Sequence, residues 1–501
     1  MRRPPLLLAC ALTALFAAHC FAAAITIQPV ASPNFPAPGL NLNYSGFSTY
    51  PGIDRAGDIS FVGSTFNGTS GVWSGPVGDS ALLALSSAPV AGLPGATWDA
   101  SPSFQIDQEE GGLLAFIGKF DPSSGGTASA EFLVEPNGVQ APIYVSNQPA
   151  PGTGGASFGF RPNSMAVNSS GQYAFTDSLQ VGGSVNSTNA PGLWGGSNGT
   201  LQLLARDGSQ VPGQAAGVTW QGNFGFPVVT PGNATVFDAS LSDGSTGIFS
   251  TSNGTTTELA KSNTNGVGQI ISQQPTANDN GSVEFSDGTN DWLVNSSGVQ
   301  KIAGAGSPIA GGGTLSSVSI GSLADSNQIF FIGKNSANVF GLYTSSIAGG
   351  VIPIAVPGSA VPVLPAGWTY YSVNYPPLVN AQGQVVFDAS VKDPSGDVLV
   401  NYIFTRDPGG NLTLVATPKT QYVLEPNVSI AVGMPNYYPF NDVRLGALNN
   451  NNDLVFTATG DGNVLLVTLP EPSAVATMML AAFGFALFRR PGRNARRLFN
   501  D

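Results

Sequence analysis

The chain has 501 residues, of which 42% are hydrophobic and only 10% are charged, with 64 glycines. This hydrophobic share suffices for a packed core and excludes wholesale disorder. Between residues 25 and 488 there are 11 Lys and Arg against 29 Asp and Glu, a net charge of −18. A body with this negative charge repels phosphate backbones and anionic membrane surfaces. We therefore expect no nucleic-acid partner.

The N-terminus has the three parts of a Sec signal peptide. Arg2 and Arg3 precede an apolar run over residues 6–18, and three alanines end at Ala24. The sequence therefore predicts a signal peptide over residues 1–24 that engages the Sec translocon and is cut by signal peptidase after Ala24.

Both cysteines, Cys10 and Cys20, and the only histidine, His19, lie inside this segment. The processed chain would have neither residue type, which excludes disulfides, thiolate or imidazole catalysis and His- or Cys-ligated metals. The alternative is a lipoprotein modified at Cys20, but His19 stands where such a signal has a small residue.

A short pattern recurs eight times over residues 25–468. Its clearest copy, residues 380–391, begins with Asn380 and Gly383, residue types that tolerate the positive φ of a tight turn. Alternating residues follow, so that Val385 and Phe387 share one face of a strand. The anchoring phenylalanines are spaced by 46 to 69 residues and are Phe61, Phe116, Phe175, Phe237, Phe285, Phe331, Phe387 and Phe456.

Each unit is predicted to hold four strands. An aromatic-bearing first strand such as Thr97-Trp98 or Thr219-Trp220 precedes the Phe strand. A third strand has a Gly-apolar-aromatic pattern, as in Gly71-Val72-Trp73, and an apolar fourth strand follows, as at residues 201–205. Units of this size with four short strands are typical of propeller blades. We predict an all-β fold, a β-propeller of eight four-stranded blades.

The eighth unit has a third strand at residues 463–468 but no fourth strand after it. Residues 25–30 form an unassigned strand of the fourth-strand kind. We predict that this mature N-terminal strand completes the last blade and closes the ring, which would remove the exposed sheet edges. The alternative is a flexible leader.

Residues 469–501 form a separate C-terminal module. An apolar run over residues 474–488 is long enough for a single short transmembrane helix if flanking residues extend it. The arginines after it predict that this end stays cytoplasmic and the body outside. The residues of the module that we single out are Pro470, Glu471, Pro472, Arg489 and Arg490.

The order Pro470-Glu471-Pro472, short apolar helix and Arg cluster resembles the PEP-CTERM sorting signal of exopolysaccharide-producing Gram-negative bacteria. The resemblance implies recognition by an exosortase, removal of the tail, and release or attachment at the cell surface. The body also resembles exported proteins with tandem Asn-x-x-Gly-x-x-x-Phe repeats, for which no biochemical role is implied.

No motif in the body predicts catalysis. Gly195-Gly196-Ser197-Asn198-Gly199 has the form of a nucleophile elbow, but it lies between strands and lacks a His base, so we interpret it as a turn. A glycoside hydrolase needs two carboxylates, and nothing in the sequence selects a pair. The candidates by residue type are Asp107, Glu109, Glu110 and Glu131.

Other ligands have weaker support. Asp393–Asp397, Asp287–Asp291 and residues 461–463 could supply Ca²⁺ oxygens, but hairpin turns explain them, and we expect no cofactor. The six Trp residues fall at two repeat positions, which indicates packing between blades, with sugar stacking as the alternative.

We therefore expect a non-enzymatic cell-envelope or extracellular protein with exopolysaccharide as a candidate partner. The alternatives are a glycan-binding or carbohydrate-active propeller that uses its central face, and a permanently membrane-anchored scaffold.

Overall fold

The computed structural model describes residues 25–469, apart from 34, 48–49, 109–112, 136–137, 161–163, 198, 272–274, 320, 348, 375–376, 418–420, 426–427, 432–442 and 459–462. The described part is all-β and contains no helix. The predicted signal peptide and the sorting residues Pro470, Glu471, Pro472, Arg489 and Arg490 lie outside the described residues.

The first half of the chain forms one leading strand and four sheets. The leading strand is β1 (Thr26–Ala31). Blade 1 has β2 (Tyr44–Phe47), β3 (Gly52–Ile53), β4 (Ile59–Thr65), β5 (Ser70–Gly75) and β6 (Ala81–Leu85). Blade 2 has β7 (Thr97–Trp98), β8 (Gln105–Gln108), β9 (Leu114–Asp121), β10 (Ala128–Val134) and β11 (Gln140–Val145). Blade 3 has β12 (Ser164–Val167), β13 (Gln172–Ser178), β14 (Pro191–Ser197) and β15 (Thr200–Arg206). Blade 4 has β16 (Val228–Val229), β17 (Thr235–Ser240), β18 (Thr246–Ser252) and β19 (Thr255–Lys261).

The second half adds four more sheets and one separate hairpin. Blade 5 has β20 (Thr276–Ala277), β21 (Val283–Ser286), β22 (Asn290–Asn295) and β23 (Gly298–Gly304). Blade 6 has β24 (Leu315–Val318), β25 (Ser322–Leu323), β26 (Ile329–Asn335), β27 (Phe340–Ser346) and β28 (Gly349–Ala355). Blade 7 has β29 (Thr369–Val373), β30 (Leu378–Val379), β31 (Val385–Lys392), β32 (Val398–Arg406) and β33 (Leu412–Ala416). The hairpin is β34 (Gln421–Glu425) and β35 (Val428–Ala431), and blade 8 has β36 (Val443–Leu448), β37 (Asp453–Ala458) and β38 (Asn463–Thr468).

The eight sheets are antiparallel meanders arranged as the blades of a propeller. Hydrophobic clusters join successive blades, and one of them packs Val455 and Val464 of blade 8 against Ile53 and Phe61 of blade 1. In the eighth sheet the strand order is β36-β37-β38-β1, with Thr26 opposite Thr468. The predicted all-β propeller with eight blades is thus confirmed.

The anchoring Phe of each unit lies at the centre of the second strand of its blade, and all eight are at most 1% exposed. In seven blades the residue directly opposite on the third strand is also aromatic. The two rings stack in six of these pairs; Phe116 and Phe132, for example, have centroids 5.4 Å apart and an interplanar angle of 15°. Blade 8 has Leu465 in this place.

This stacking explains the glycine that precedes the third-strand aromatic by two residues. A Cβ added at Gly192 would lie 2.5 Å from the Trp194 ring, and one added at Gly247 would lie 2.6 Å from the Phe249 ring. Side chains two apart share a face of a strand, so the ring folds back over the glycine and leaves no room for a methyl group.

Of the predicted aromatic-bearing first strands, Thr97-Trp98 is a strand and β29 follows directly after Trp368, but the prediction at Trp220 needs a correction. The innermost strand of each blade is the short one immediately before the Asn-type turn, such as β16, whereas Trp220 makes only an isolated bridge with Leu241. In blade 2 the first strand is broken, and Trp98 lies on the half farther from the turn, β7. An irregular, Pro-containing segment separates the two halves.

Candidate functional site

The turns that precede the Phe strands connect neighbouring blades. In blade 7, Gly383 N–H donates to the Asn380 carbonyl and Gln384 N–H donates to Asn380 Oδ1, each at 2.9 Å. These two bonds close the turn, so that the side-chain amide group of Asn380 is left to point outward. It donates to Asn452 Oδ1 at 2.9 Å and to the Asn449 carbonyl at 3.2 Å, both in the turn of blade 8.

The same contact joins two other pairs of blades. Asn168 of blade 3 donates to Asn233 Oδ1 at 3.0 Å, and Asn278 of blade 5 donates to Asn327 Oδ1 at 3.0 Å. The acceptors Asn233, Asn327 and Asn452 have φ of 65°, 61° and 65°, the conformation for which the donor turns use glycine. We call these three contacts the asparagine latches: 168/233, 278/327 and 380/452.

Two groups of carboxyl side chains also meet at interfaces between blades. Asp107 and Glu131 of blade 2 and Asp177 of blade 3 face one another, although they are far apart in sequence. Glu131 is 0% exposed, and neither of its carboxyl oxygens has a hydrogen-bond partner in the described part of the chain. Burial, followed by the charges of Asp107 and Asp177, raises its pKa well above the usual range.

The two acids that face Glu131 also have raised pKa values. Burial raises the pKa of Asp107 to about 6 and that of Asp177 to about 6. Asp177 Oδ2 accepts a hydrogen bond from Gly159 N–H at 3.0 Å, and the Tyr144 hydroxyl donates to the Gly159 carbonyl at 3.0 Å. The interface therefore favours a neutral Glu131, since no described cation lies against it.

The second acidic group lies between blades 5 and 6. Glu284 accepts hydrogen bonds from Gly321 N–H at 3.1 Å and from the Thr276 hydroxyl at 2.8 Å, and burial raises its pKa to about 7. Burial and then the charge of Glu284 raise the pKa of Asp291, which is also 0% exposed. Among the described residues, no group of acidic side chains has the arrangement of a metal site.

The structure describes only two of the four predicted carboxylate candidates. The structure brings Asp107 and Glu131 together, but it buries Glu131 completely, so a sugar substrate could not touch its carboxyl group. Glu109 and Glu110 lie outside the described residues. Of the Ca²⁺ candidates, Asp393 and Asp287 use their oxygens to accept backbone N–H groups of their own turns, as at Ser395 and Asn290. Residues 461–462 are not described.

Five of the six tryptophans are too deeply buried to stack on a ligand. Trp73, Trp98, Trp194, Trp220 and Trp292 are at most 6% exposed, and Trp368 is half-buried. Three indole N–H groups are also satisfied inside the protein; that of Trp292, for example, donates to Asp287 Oδ2 at 2.9 Å.

Three other aromatic residues are exposed near the innermost strands. Tyr50, Phe160 and Phe226 are 53%, 47% and 53% exposed, and each precedes the innermost strand of its blade. Sequence reasoning missed them, although an aromatic residue shortly before proline is a readable signal. An aromatic residue stands directly before proline at Tyr50-Pro51 and at Phe226-Pro227.

A polar cleft of about 150 Å³ opens between blades 3 and 4. The β14–β15 hairpin forms one wall and the β18–β19 hairpin the other, with the buried Tyr173, Thr235 and Thr251 at the bottom. Of the elbow-like Gly195–Gly199 segment, residues 195–197 end β14 and Gly199 stands just before β15, so its described residues lie where two strands connect and not between a strand and a helix.

The lining of this cleft carries no charged side chain. It is made of hydroxyl, amide, glycine and apolar groups, among them Gln202, Asn233, Thr235, Ser252 and Asn253.

Eight antiparallel sheets of four or five strands, arranged as blades, define the class of protein, an eight-bladed β-propeller. A model for a family of unknown function, DUF7453, matches residues 18–243 and 286–468, and the chain belongs to that family. No curated protein matches the chain. Within the described residues there is no helix long and apolar enough to cross a membrane.

Solved structures to which the chain is similar include three from different organisms. TolB from Acinetobacter baumannii is 11% identical, covers 88% of this chain and 96% of its own, and has a TM-score of 0.29. Sqt1 from Saccharomyces cerevisiae is 11% identical, with 88% and 98% covered and a TM-score of 0.38. The WD40 domain of SCAP from fission yeast is 9% identical, with 89% and 95% covered and a TM-score of 0.36. These likenesses say nothing about what this chain binds.

Proposed function

We propose that the chain is an exported, non-enzymatic protein of the bacterial cell envelope or its surroundings, sorted through residues 469–501 by an exosortase. One observation carries the proposal. The folded unit spans Thr26 to Thr468, so it begins just after the predicted signal-peptidase cut and ends just before Pro470. Both predicted sorting segments thus lie outside this unit in the sequence.

The proposal includes closure of the ring by the processed N-terminus. Support comes from β1, which supplies the edge strand of the blade formed by the last strands of the body. Ala31 also packs with Val464 and Tyr44 across the junction of blades 8 and 1. Because the strand begins beyond Ala24, removal of the signal peptide leaves it free to pair.

A non-enzymatic role is supported by the burial of the acids. The carboxyl groups with the most perturbed pKa values, Glu131 and Asp291, are both 0% exposed and lie between blades. Perturbed acids often mark active sites, but those acids must touch a substrate. The burial of these groups suits packing, and the proposal gives them no catalytic role.

The experiment is mass spectrometry of the protein from its native host, with separate inner-membrane, outer-membrane and medium fractions. We expect an N-terminus at Ile25, loss of the tail near Pro470, and recovery at the cell surface or in the medium. An intact tail confined to the inner membrane would contradict sorting and would favour the permanently anchored scaffold. The matched control is a Pro470→Ala, Glu471→Ala, Pro472→Ala chain, which should keep its tail.

A second candidate function is glycan binding at the central face. The exposed rings of Tyr50, Phe160 and Phe226 favour it, because each lies beside an innermost strand, where a propeller has its channel. Exposed aromatic faces stack on the C–H faces of sugars. The net negative charge of the body argues for neutral rather than acidic glycans.

A further inference from the structure

We propose that the cleft between blades 3 and 4 binds one neutral sugar unit. The inference rests on glycan binding, the activity named in the second candidate function, but it places the bound sugar in this cleft and not at the central face. The cleft lies at the edge of the propeller that carries the Asn-type turns, since Asn233 of the blade 4 turn is part of its lining.

The chemistry of the lining selects the class of ligand. Its amides and hydroxyls can each donate and accept hydrogen bonds, as sugar hydroxyls also do. A phosphate or carboxylate ligand would need Arg or Lys, and a cationic ligand would need acidic groups, and the lining has none of these. A neutral polyhydroxylated molecule is the class that such a surface can satisfy.

Several of these polar groups are not used inside the protein. Thr200 Oγ1 donates to the Ser197 carbonyl and Thr251 Oγ1 bonds to Thr256 Oγ1, so these two hydroxyls are occupied. The side chains of Gln202, Ser252 and Asn253, in contrast, have no hydrogen-bond partner within the described chain. They lie at or near the exposed mouth of the cleft, where a ligand would meet them first.

Size and shape limit the ligand to one ring. The cleft has a volume of about 150 Å³. It is below the range of about 300–1,000 Å³ found for drug-sized ligands. The half-buried, apolar side chains of Leu201 and Leu204 offer surface to the C–H groups of a sugar. Longer glycans would insert one unit and continue into solvent.

The hairpins of the cleft are constrained by close backbone contacts. A Cβ added at Gly196 would lie 1.9 Å from the Thr200 carbonyl oxygen, and one added at Gly195 would lie 2.7 Å from Leu204. The elbow-like glycines therefore allow a close approach that a larger side chain would prevent, and in this way the segment shapes the β14–β15 wall of the cleft.

Two variants test the cleft in the processed body, residues 25–468. Asn253→Gly removes one mouth amide and keeps the backbone, because Asn253 has φ of 50° and glycine tolerates this conformation. Ser252→Phe fills the cleft. The matched control is Asn338→Gly, because Asn338 has φ of 66° in a blade 6 hairpin and does not line the cleft. Circular dichroism and thermal unfolding establish that each variant is folded.

The readout is saturation-transfer NMR with D-glucose, D-galactose, D-mannose, N-acetyl-D-glucosamine and D-glucuronate at millimolar concentration. We expect at least one neutral sugar to bind, D-glucuronate to bind more weakly, and Ser252→Phe to abolish the signal. Asn253→Gly should weaken binding about five-fold, as loss of one neutral hydrogen bond predicts. Asn338→Gly should have no effect.

The variant Phe226→Ala distinguishes sugar binding in the cleft from glycan binding at the central face. If it abolishes sugar binding while Ser252→Phe and Asn253→Gly do not, the cleft is wrong and the central face stands. If no neutral sugar binds, or no variant changes binding, both are overturned. D-glucuronate binding as strongly as the neutral sugars would overturn the assigned ligand class. Export and tail removal are measured separately and are unaffected by any of these results.

Discussion

Replacement of Asn380 tests whether the asparagine latches hold the blades together. The side chain of Asn380 makes three hydrogen bonds, to Asn452 Oδ1, the Asn449 carbonyl and Gln384 N–H, and the residue is 4% exposed. Asn380→Ala removes all three and leaves buried partners unsatisfied, each at a cost of about 1–3 kcal/mol. Some of this cost is relieved by water at the turn edge, so we expect a loss of roughly 3 kcal/mol in the free energy of unfolding.

A double-mutant cycle isolates the contact between the blades. Asn452→Gly removes the acceptor while keeping the positive φ of 65°. Combined with Asn380→Ala, it should show a coupling of about 0.5–1.5 kcal/mol, because the two residues form one hydrogen bond. The matched control combines Asn380→Ala with Asn327→Gly, which belongs to a different latch and should add independently. The assay is urea unfolding of residues 25–468 followed by tryptophan fluorescence.

Additive effects of Asn380 and Asn452 would refute the reasoning, because they would mean that the latch contributes no interaction energy. Asn380→Asp gives a second check. It keeps the acceptor for Gln384 N–H but directs a carboxylate at Asn452 Oδ1 and the Asn449 carbonyl, so it should destabilise strongly at neutral pH. Protonation would restore one donor, and the loss should therefore shrink as the pH falls.

Three further predictions concern closure, titration and packing. Deleting residues 25–31 should lower the thermal midpoint sharply, and an unchanged midpoint would exclude closure by β1. Folded-state pKa values raised in Glu131, Asp107 and Asp177 stabilise the protein below the unfolded values of about 4, and this stability is lost as the pH rises through the folded values. The thermal midpoint should therefore decrease as the pH rises from about 4 to about 7. Glu131→Gln should make this decrease smaller and raise the midpoint at neutral pH. The exposed control Glu135→Gln should do neither. Gly192→Ala should cost about 2 kcal/mol or more by clashing with the Trp194 ring, and Gly46→Ala, which has open space around its Cβ, should be nearly neutral; equal midpoints for these two alanine variants would contradict the stacking argument.

The second strands could be predicted from sequence because a single residue type marks them. Phe387 and its counterparts repeat with a turn signal a fixed distance before them, and period-two alternation extends through β31. The innermost strands could not be predicted in the same way. β16 has only two residues, Val228 and Val229, which are too few to show a period. The first strand of this blade was therefore predicted at Trp220, which makes only an isolated bridge.

Contacts between blades were also beyond sequence reasoning. Asp107, Glu131 and Asp177 are unremarkable among 29 acids, and only the packing of blade 3 on blade 2 brings them together. The latches are partly readable, since Asn replaces Gly at the fourth turn position in blades 4, 6 and 8. In blades 3, 5 and 7 the first turn position is Asn, and this alternation predicts which neighbour supplies the donor and which the acceptor.

The order of β1 and β38 in the eighth sheet leads to a sharper test of closure than deletion does. Thr26 lies opposite Thr468, so the end of β38 and the start of β1 are positioned like the two sides of a β-hairpin. A circular permutant that joins Thr468 to Thr26 through Asn-Gly, a two-residue hairpin loop, should therefore fold. New ends between Ser124 and Gly125 lie in an exposed loop, where breaks are best tolerated.

We expect this permutant to reproduce the circular dichroism spectrum of the parent and to unfold within a few degrees of it. The control has the same new ends and a flexible Gly/Ser connector of about 20 residues, which makes no demand on the distance between the joined ends. If the control folds and the Asn-Gly permutant does not, Thr26 and Thr468 are not neighbours, and β1 does not close the ring. If both fold, the ends of the body meet in the paired geometry. That pairing joins the first strand of the body to its last, so in a chain exported as proposed the ring could close only after the whole body had left the translocon.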